Sequence, residues 1–293
     1  YENHKLSGDA AEAAALAVNS GCDLCCGWVF PHLMEAVTRG LIDEETITRS
    51  VQRLLTARFR LGLLDESEPA ITPEAYAEND SPAHHALSLE MARASMTLLK
   101  NNGTLPLDPK AVRTLAVVGP NADSRLALMG NYAGTPSEAW TVLEGLQKLL
   151  PDTRILYAQG CSIVGGSQEA GWGEPSTYRL AEAMQVVSMA DAVVVVTGLN
   201  GELESEESEE SAGSGDRLTL ELPESQRDLI DAIHACGKPM VLVNMTGSAT
   251  VFPHADSFGA ILQAWYPGQM GGLAVAEALL GHYAPGGRLP LTF

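Results

Sequence analysis

Basic residues are scarce. Lys and Arg number 18 against 37 Asp and Glu, a formal net charge of −19 over 293 residues. Phosphate contacts need clustered Lys and Arg, so the balance argues against nucleic acid and against an anionic membrane surface as partners. A neutral ligand such as a sugar is not opposed by this field. Long apolar runs are missing as well. None approaches the ~20 residues needed to cross a bilayer, so no membrane association is expected. No Gly-x-Ser-x-Gly elbow occurs, which leaves a serine hydrolase without support. The seven histidines form no His-x-x-x-His pair, and the five cysteines lack paired Cys-x-x-Cys spacing. No metal is therefore expected. The odd cysteine count fits reduced thiols, or one thiol pairing outside the sequence, and the redox compartment stays open. Val117-Val118-Gly119-Pro120 lacks the G-x-G-x-x-G spacing, and Pro120 removes an amide that a phosphate would use, so no dinucleotide or other cofactor is expected. There is no start Met or signal peptide. Both ends read as cut from something longer, so the missing signal says nothing about location.

The most distinctive stretch present runs from Gly198 to Glu210. Six glutamates (202, 204, 206, 207, 209 and 210) fall within nine residues. They follow Asp191-Ala-Val-Val-Val-Val-Thr197, an apolar run that suits a parallel strand covered on both faces. The acidic segment thus leaves the carboxyl end of a strand, where open α/β folds place ligands. Crowded carboxyls raise one another's pKa, and a carboxyl that keeps its proton near neutrality can act as a general acid. Composition alone favours a solvated acidic loop.

Residues 9–19 are alanine-rich and read as a helix. Cys22–Cys26 reads as a short buried strand. Helices follow near His32–Arg39 and from Asp43, the latter with Ile47, Val51, Leu54, Leu55 and Phe59 at helical spacing. One strand cannot form a sheet, so this part reads as the tail of an α/β domain. Residues 65–82 are rich in proline and charge and read as a linker. A helix over 83–95 and two short apolar runs around an Asn-Gly turn come next. From Thr114, strands at 115–118, 155–157, 192–196, 240–244 and 260–264 alternate with helices near 142–150, 178–189, 224–235 and 273–280. That order predicts βαβ units and a parallel sheet between helical layers. The glycines of Gly268-Gln-Met-Gly-Gly272 are expected to allow close packing of a helix on the sheet rather than to bind an anion. Trp28 and Trp172 fall in predicted loops, where an indole either stacks on a sugar ring or packs locally.

Several stretches, in this order, resemble glycoside hydrolase family 3, in particular its β-xylosidase-like branch. They are Ala94-Ser-Met-Thr-Leu-Leu-Lys-Asn-Asn-Gly-Thr-Leu-Pro-Leu107, Leu115-Ala-Val-Val-Gly-Pro-Asn-Ala122, Gly130-Asn-Tyr-Ala-Gly-Thr-Pro136, Gly237-Lys-Pro239, Tyr266-Pro-Gly-Gln-Met-Gly-Gly272 and Pro285-Gly-Gly-Arg-Leu-Pro290. The resemblance implies an α/β fold in two parts. Residues 1–62 would be the C-terminal end of a (β/α)8-type barrel, 63–110 an interdomain linker segment, and 111–293 a six-stranded α/β sandwich carrying the acid/base loop.

The resemblance also implies a retaining, exo-acting β-glycosidase that releases terminal xylose, or glucose or arabinose, from β-linked oligosaccharides. Its nucleophilic aspartate would lie on a missing N-terminal barrel segment, in a motif like Ser-Asp-x-Gly that this sequence lacks. The acid/base glutamate of the family follows a sandwich strand in a pattern like Glu-x-Glu-Gly. Here Glu204-Ser205-Glu206-Glu207 matches it, with Glu206 as the acid/base and Glu204 and Glu207 as reserves, because Glu207 stands where glycine is common. Gly215-Asp216-Arg217 matches the downstream end of this loop. Arg217 either orients a loop carboxylate or forms a simple surface ion pair. Cys26-Gly27 matches a pair after the last barrel strand, where the family cysteine lies near the nucleophile and can pair with a cysteine beside it. Cys26 and Trp28 are therefore candidate substrate-binding residues, although a buried strand-end thiol explains Cys26 equally well. The alternative function is a non-catalytic sugar-binding or assembly module that needs a partner barrel chain.

Overall fold

The computed structural model describes residues 4–64, 72–164, 176–204 and 219–293. The chain forms two compact units, Tyr1–Tyr76 and Ala77–Phe293.

The first unit is helical. Helix α1 (Ala10–Asn19) starts where the Asp9 side chain accepts the Glu12 amide at 2.9 Å, while the Glu12 carboxylate accepts the Gly8 amide at 2.8 Å. Its face Ala11, Ala15 and Val18 packs with Ala36 of α2 (Leu33–Thr38) and with Ile42. Small alanines let these segments approach closely, which is how so short a stretch buries a core. Helix α3 (Glu44–Arg60) is capped by Asp43, whose side chain accepts the Thr46 amide at 2.6 Å. Its apolar positions Val51, Leu55 and Phe59 are exposed, as are Met34 and Trp28. Cys22–Cys26, expected as a buried strand, is irregular and ends in a bend, and Cys22 and Cys26 are exposed. No described strand lies in this unit to satisfy its backbone, so the apolar composition alone does not make it a strand. Asp23, inside that stretch, is gripped by Arg53 at 2.6 and 2.5 Å.

The second unit is built on a six-stranded sheet. Helix α4 (Pro73–Glu78) spans the boundary between the units, and α5 (Pro82–Ser95) leads into β1 (Thr97–Asn101). The remaining elements are β2 (Thr114–Val118), α6 (Val142–Leu149), β3 (Arg154–Ala158), α7 (Ser176–Ser188), β4 (Ala192–Gly198), α8 (Glu224–His234), β5 (Met240–Met245), β6 (Ala260–Gln263) and α9 (Gly271–Leu279). The strand order is β1-β6-β5-β4-β2-β3. All neighbours are parallel except β1, which pairs antiparallel with β6. The stretch expected as a linker, 63–110, therefore contributes an edge strand. The Asn-Gly turn does not make a hairpin. The Asn101 side chain instead accepts the Gly103 and Leu105 amides, both at 3.1 Å, and the second apolar run continues to α9, with the Leu107 amide on Leu279 O at 2.8 Å.

The valine run splits by parity, as a doubly covered strand must. Val194 and Val196 join the core beneath α5, α6 and α9, while Val193 and Val195 join the core beneath α7 and α8. Each valine so buried contributes roughly 1.5–3 kcal/mol relative to exposure. On the first face α6 and α9 meet almost without side chains between them. A Cβ on Gly145 would fall 2.4 Å from Gly272 O, and one on Gly272 2.1 Å from Thr141 O. The glycines of the Gly268–Gly272 stretch thus serve packing, here of helix on helix rather than of helix on sheet. The Gly272 amide is already used by Trp140 O at 3.0 Å.

Gly272→Ala forces a methyl into backbone, and overpacking of this kind costs about 1–3 kcal/mol or more; a lower denaturant midpoint at unchanged m reports it, and an unchanged midpoint contradicts the contact. In the first unit, the Arg53 guanidinium and then Ser50 lower Asp23 from 3.8 to about 2. A depressed carboxyl contributes stability that is present above pH 4 and lost as pH falls toward 2. The stability gap between the parent and Asp23→Asn should therefore close over that window in acid melts, and a gap that persists at pH 2 contradicts the pairing.

Candidate active site

The site is assembled where the parallel strands end. Strand β4 terminates at Gly198, with φ at 140°, and a Cβ there would sit 1.9 Å from Met245 O on β5. Only glycine fits this left-handed, close approach. The fully buried Gln226 of α8 closes the strand end. Its Oε1 accepts the Gly198 amide at 2.9 Å, and its Nε2 donates to Gly198 O and to Ile163 O, both at 2.7 Å. One residue on, the Leu199 amide donates to Met245 O at 2.9 Å, and Asn121 donates to Leu199 O at 3.0 Å. Asn200 then nucleates one turn. Its side-chain oxygen accepts the Glu202 and Leu203 amides at 3.2 and 3.0 Å, and its carbonyl accepts the Glu204 amide at 3.0 Å. Short amide side chains suit this role because they mimic a backbone acceptor.

That turn delivers Glu204, half-buried, to the ends of β5 and β6. One carboxylate oxygen accepts the Gly247 amide at 2.7 Å and the Tyr266 hydroxyl; the other accepts the Ser248 hydroxyl. The backbone carbonyl of Glu204 accepts from Asn131 at 3.1 Å. Tyr266 lies in a slot walled by glycine. Cβ atoms built on Gly130 and Gly247 would approach its ring to 3.3 and 3.0 Å.

Of the residues singled out in the sequence, Glu204 is thus held at the carboxyl edge of the sheet. Glu206 and Glu207 lie outside the described residues, as do Trp172 and Arg217. Cys26 and Trp28 belong to the first unit, the thiol exposed and the indole 90% exposed. Sequence reasoning gave no role to Gln226, Asn131, Gly247, Ser248 or Tyr266. Asn131 and Tyr266 did fall within stretches quoted for the resemblance. Ser248 carries no motif, and only its position just beyond a parallel strand signals it.

A second polar cluster surrounds Asp80, which has a φ of 54°. Its carboxylate accepts the Ser137 amide at 2.6 Å, and lies 2.8 Å from His85 Nε2 and 3.2 Å from the Gln269 amide nitrogen. These contacts, Ser137 foremost, hold its carboxyl well below the usual range. His85 also approaches Glu138 at 3.4 Å, and Glu138 accepts from Trp140 Nε1 at 2.6 Å. Lys148 sits 4.0 Å over the Trp140 ring, beside an open pocket of about 780 Å³ that Glu204 does not line. Among the described residues no group of three or more His, Cys, Asp or Glu is placed to hold a metal ion.

Comparison with known proteins gives this geometry a family. Residues 96–293 match the model of the glycosyl hydrolase family 3 C-terminal domain. The whole chain aligns at 34% identity with probable β-D-xylosidase 7 of Arabidopsis thaliana, covering 37% of its length. Among solved structures, a β-glucosidase from Erythrobacter marinus superposes with a TM-score of 0.82 at 34% identity, over 96% of this chain and 39% of that one. A family 3 exo-β-xylosidase, solved with a xylobiose aziridine probe, gives 0.81 at 29% identity, over 98% of this chain and 35% of its own. The chain therefore spans little more than a third of the relatives it matches. A family model that matches about two thirds of the chain, and relatives that align along its whole length, leave one conclusion: this chain belongs to glycosyl hydrolase family 3.

Proposed function

We propose that this chain supplies the acid/base half of a retaining, exo-acting β-glycosidase. Its substrates are β-linked oligosaccharides ending in xylose, or in glucose or arabinose, and Glu206 is the acid/base. The nucleophilic aspartate belongs to an N-terminal barrel segment, of which residues 1–62 are the end; residues 63–110 join it to a sandwich domain of 111–293 and also give that domain its edge strand β1. The names of the relatives, β-xylosidases and β-glucosidases, support the substrate class. The exposed apolar side chains Val51, Leu55 and Phe59 support a further segment packing on α3.

The observation that carries the reading is the state of Glu204. A general acid must hold a proton that it can aim at the leaving oxygen. Glu204 is engaged as an acceptor by three donors, so its carboxylate is poorly suited to that task. Glu206 is the nearer of the two other candidates, two residues beyond it. In the first half-reaction the aspartate attacks the anomeric carbon while Glu206 protonates the departing oxygen. In the second, Glu206 takes a proton from the water that attacks the glycosyl-enzyme. Retention requires the two carboxyls about 5–5.5 Å apart. Cys26 and Trp28, exposed in the first unit, line the sugar site in this reading, the indole offering a face for a pyranose ring.

The test uses the polypeptide that joins this chain to its barrel. Glu206→Gln should lower turnover of xylobiose by roughly 10²–10⁴, the usual worth of general acid–base assistance. An aryl xyloside with an activated leaving group needs little protonation and should be largely spared. Equal turnover of xylobiose by variant and parent removes Glu206 from the role. A parent that binds xylose without turning over any β-glycoside favours the non-catalytic module instead.

A further inference from the structure

Every polar group of Glu204 is occupied. Its amide is on Asn200 O at 3.0 Å, its carbonyl on Asn131 at 3.1 Å, and its carboxylate on Gly247, Ser248 and Tyr266. These partners come from four separate places: the turn that opens at Asn200, the segment after Gly130, the end of β5 and the exit of β6. The acidic stretch is therefore fastened at its root to the rim of the sheet on several sides. The anchor is also built for a carboxylate. Three donors converge on it, and glycine at 247 lets the amide and the Tyr266 ring reach the same oxygen, since a Cβ there would stand 3.1 Å from that oxygen and 3.0 Å from the ring. An ordinary surface glutamate in an acidic loop has no reason to collect such a set. A residue fixed at its amide, carbonyl and side chain also fixes the direction in which the chain leaves it.

We infer that Glu204 is the positioning residue of the acid/base loop: tied to Gly247, Ser248 and Tyr266, it sets the place from which the general acid at 206 reaches the glycosidic oxygen. This rests on the reading of Glu206 given above. The carboxylate of Glu204 itself exchanges no proton with substrate. It acts through the chain, and Tyr266 and Ser248 act through it.

The test compares Glu204→Gln, Glu206→Gln, Tyr266→Phe and Ser248→Ala in the polypeptide that joins this chain to its barrel, on xylobiose and on 2,4-dinitrophenyl β-xyloside. In Glu204→Gln one acceptor becomes an amide donor facing donors. A displacement of about 1 Å can cost on the order of a hundredfold, so kcat on xylobiose should fall by about tenfold to a hundredfold with KM little changed. The dinitrophenyl substrate, which needs no proton, should be nearly unaffected in its first half-reaction. Tyr266→Phe and Ser248→Ala should show the same leaving-group dependence at smaller amplitude. Azide separates positioning from chemistry. It attacks the anomeric carbon of the glycosyl-enzyme, the C–N bond forming as the C–O bond to the aspartate breaks, and it has no proton to lose. Azide should therefore accelerate Glu206→Gln and yield glycosyl azide, and do little for Glu204→Gln, which keeps its base.

Strong azide rescue of Glu204→Gln makes Glu204 the acid/base itself and overturns the inference. So does an equal loss on both substrates, which marks a general structural role, or no loss at all. A Glu206→Gln variant indistinguishable from the parent instead overturns the acid/base reading, whatever Glu204 does. If Glu204→Gln fails to fold, Tyr266→Phe and Ser248→Ala decide by the same substrate split.

Discussion

A single buried side-chain amide closes the end of the central strand. Gln226 answers both the donor and the acceptor of Gly198 and also holds Ile163 O, so three backbone groups that the ladder leaves open are satisfied inside the protein. Unpaired, such groups cost about 1–3 kcal/mol each. Because they are paired, β4 can stop abruptly and hand the chain to a turn whose position is set to within hydrogen-bond tolerance. Everything downstream, from the Asn200 turn to the Glu204 anchor, inherits its coordinates from that closure.

Each device at the strand ends solves a packing problem and a chemical one together. Gly198 permits β4 and β5 to touch at their tips, which brings Leu199 onto Met245 and so carries the turn over the end of β5. Gly130 and Gly247 leave room for an aromatic ring whose hydroxyl must meet a carboxylate. A rigid sheet with glycine at its rim can thus present polar groups from several strands at one point, while the valine core beneath supplies the stability.

The parts of the fold that depend on one periodicity were legible in the sequence. The valines of β4 alternate between two cores as their spacing demands, and the helices of the second unit fall near their expected positions. What escaped depends on partners distant in sequence. Strand β1 is an edge strand whose short apolar run gains meaning only by pairing with β6, about 160 residues on. Cys22–Cys26 failed in the opposite sense: its composition suits a strand, but no described strand stands beside it. At the site, the glutamate-rich stretch advertised itself by charge, yet the roles of Ser248 and Tyr266 were invisible, because a hydroxyl declares its partner only once the fold brings the two together. The stretches quoted for the resemblance contain Asn131 and Tyr266 but give no sign of their contacts with Glu204.

Strand β1 carries a consequence for modular dissection. Among the described strands it is the one antiparallel member of the sheet, it is contributed by chain that precedes the alternating βα units, and the helix before it is fastened by Arg93 to Glu277 of α9 at 2.6 Å. A boundary drawn where the alternation begins would strip the sheet of its rim and expose an unsheathed edge on β6, an invitation to intermolecular strand addition. Excised or shuffled versions of the second unit therefore keep their solubility only when the cut falls upstream of α5, so that the apparent linker travels with the module it borders.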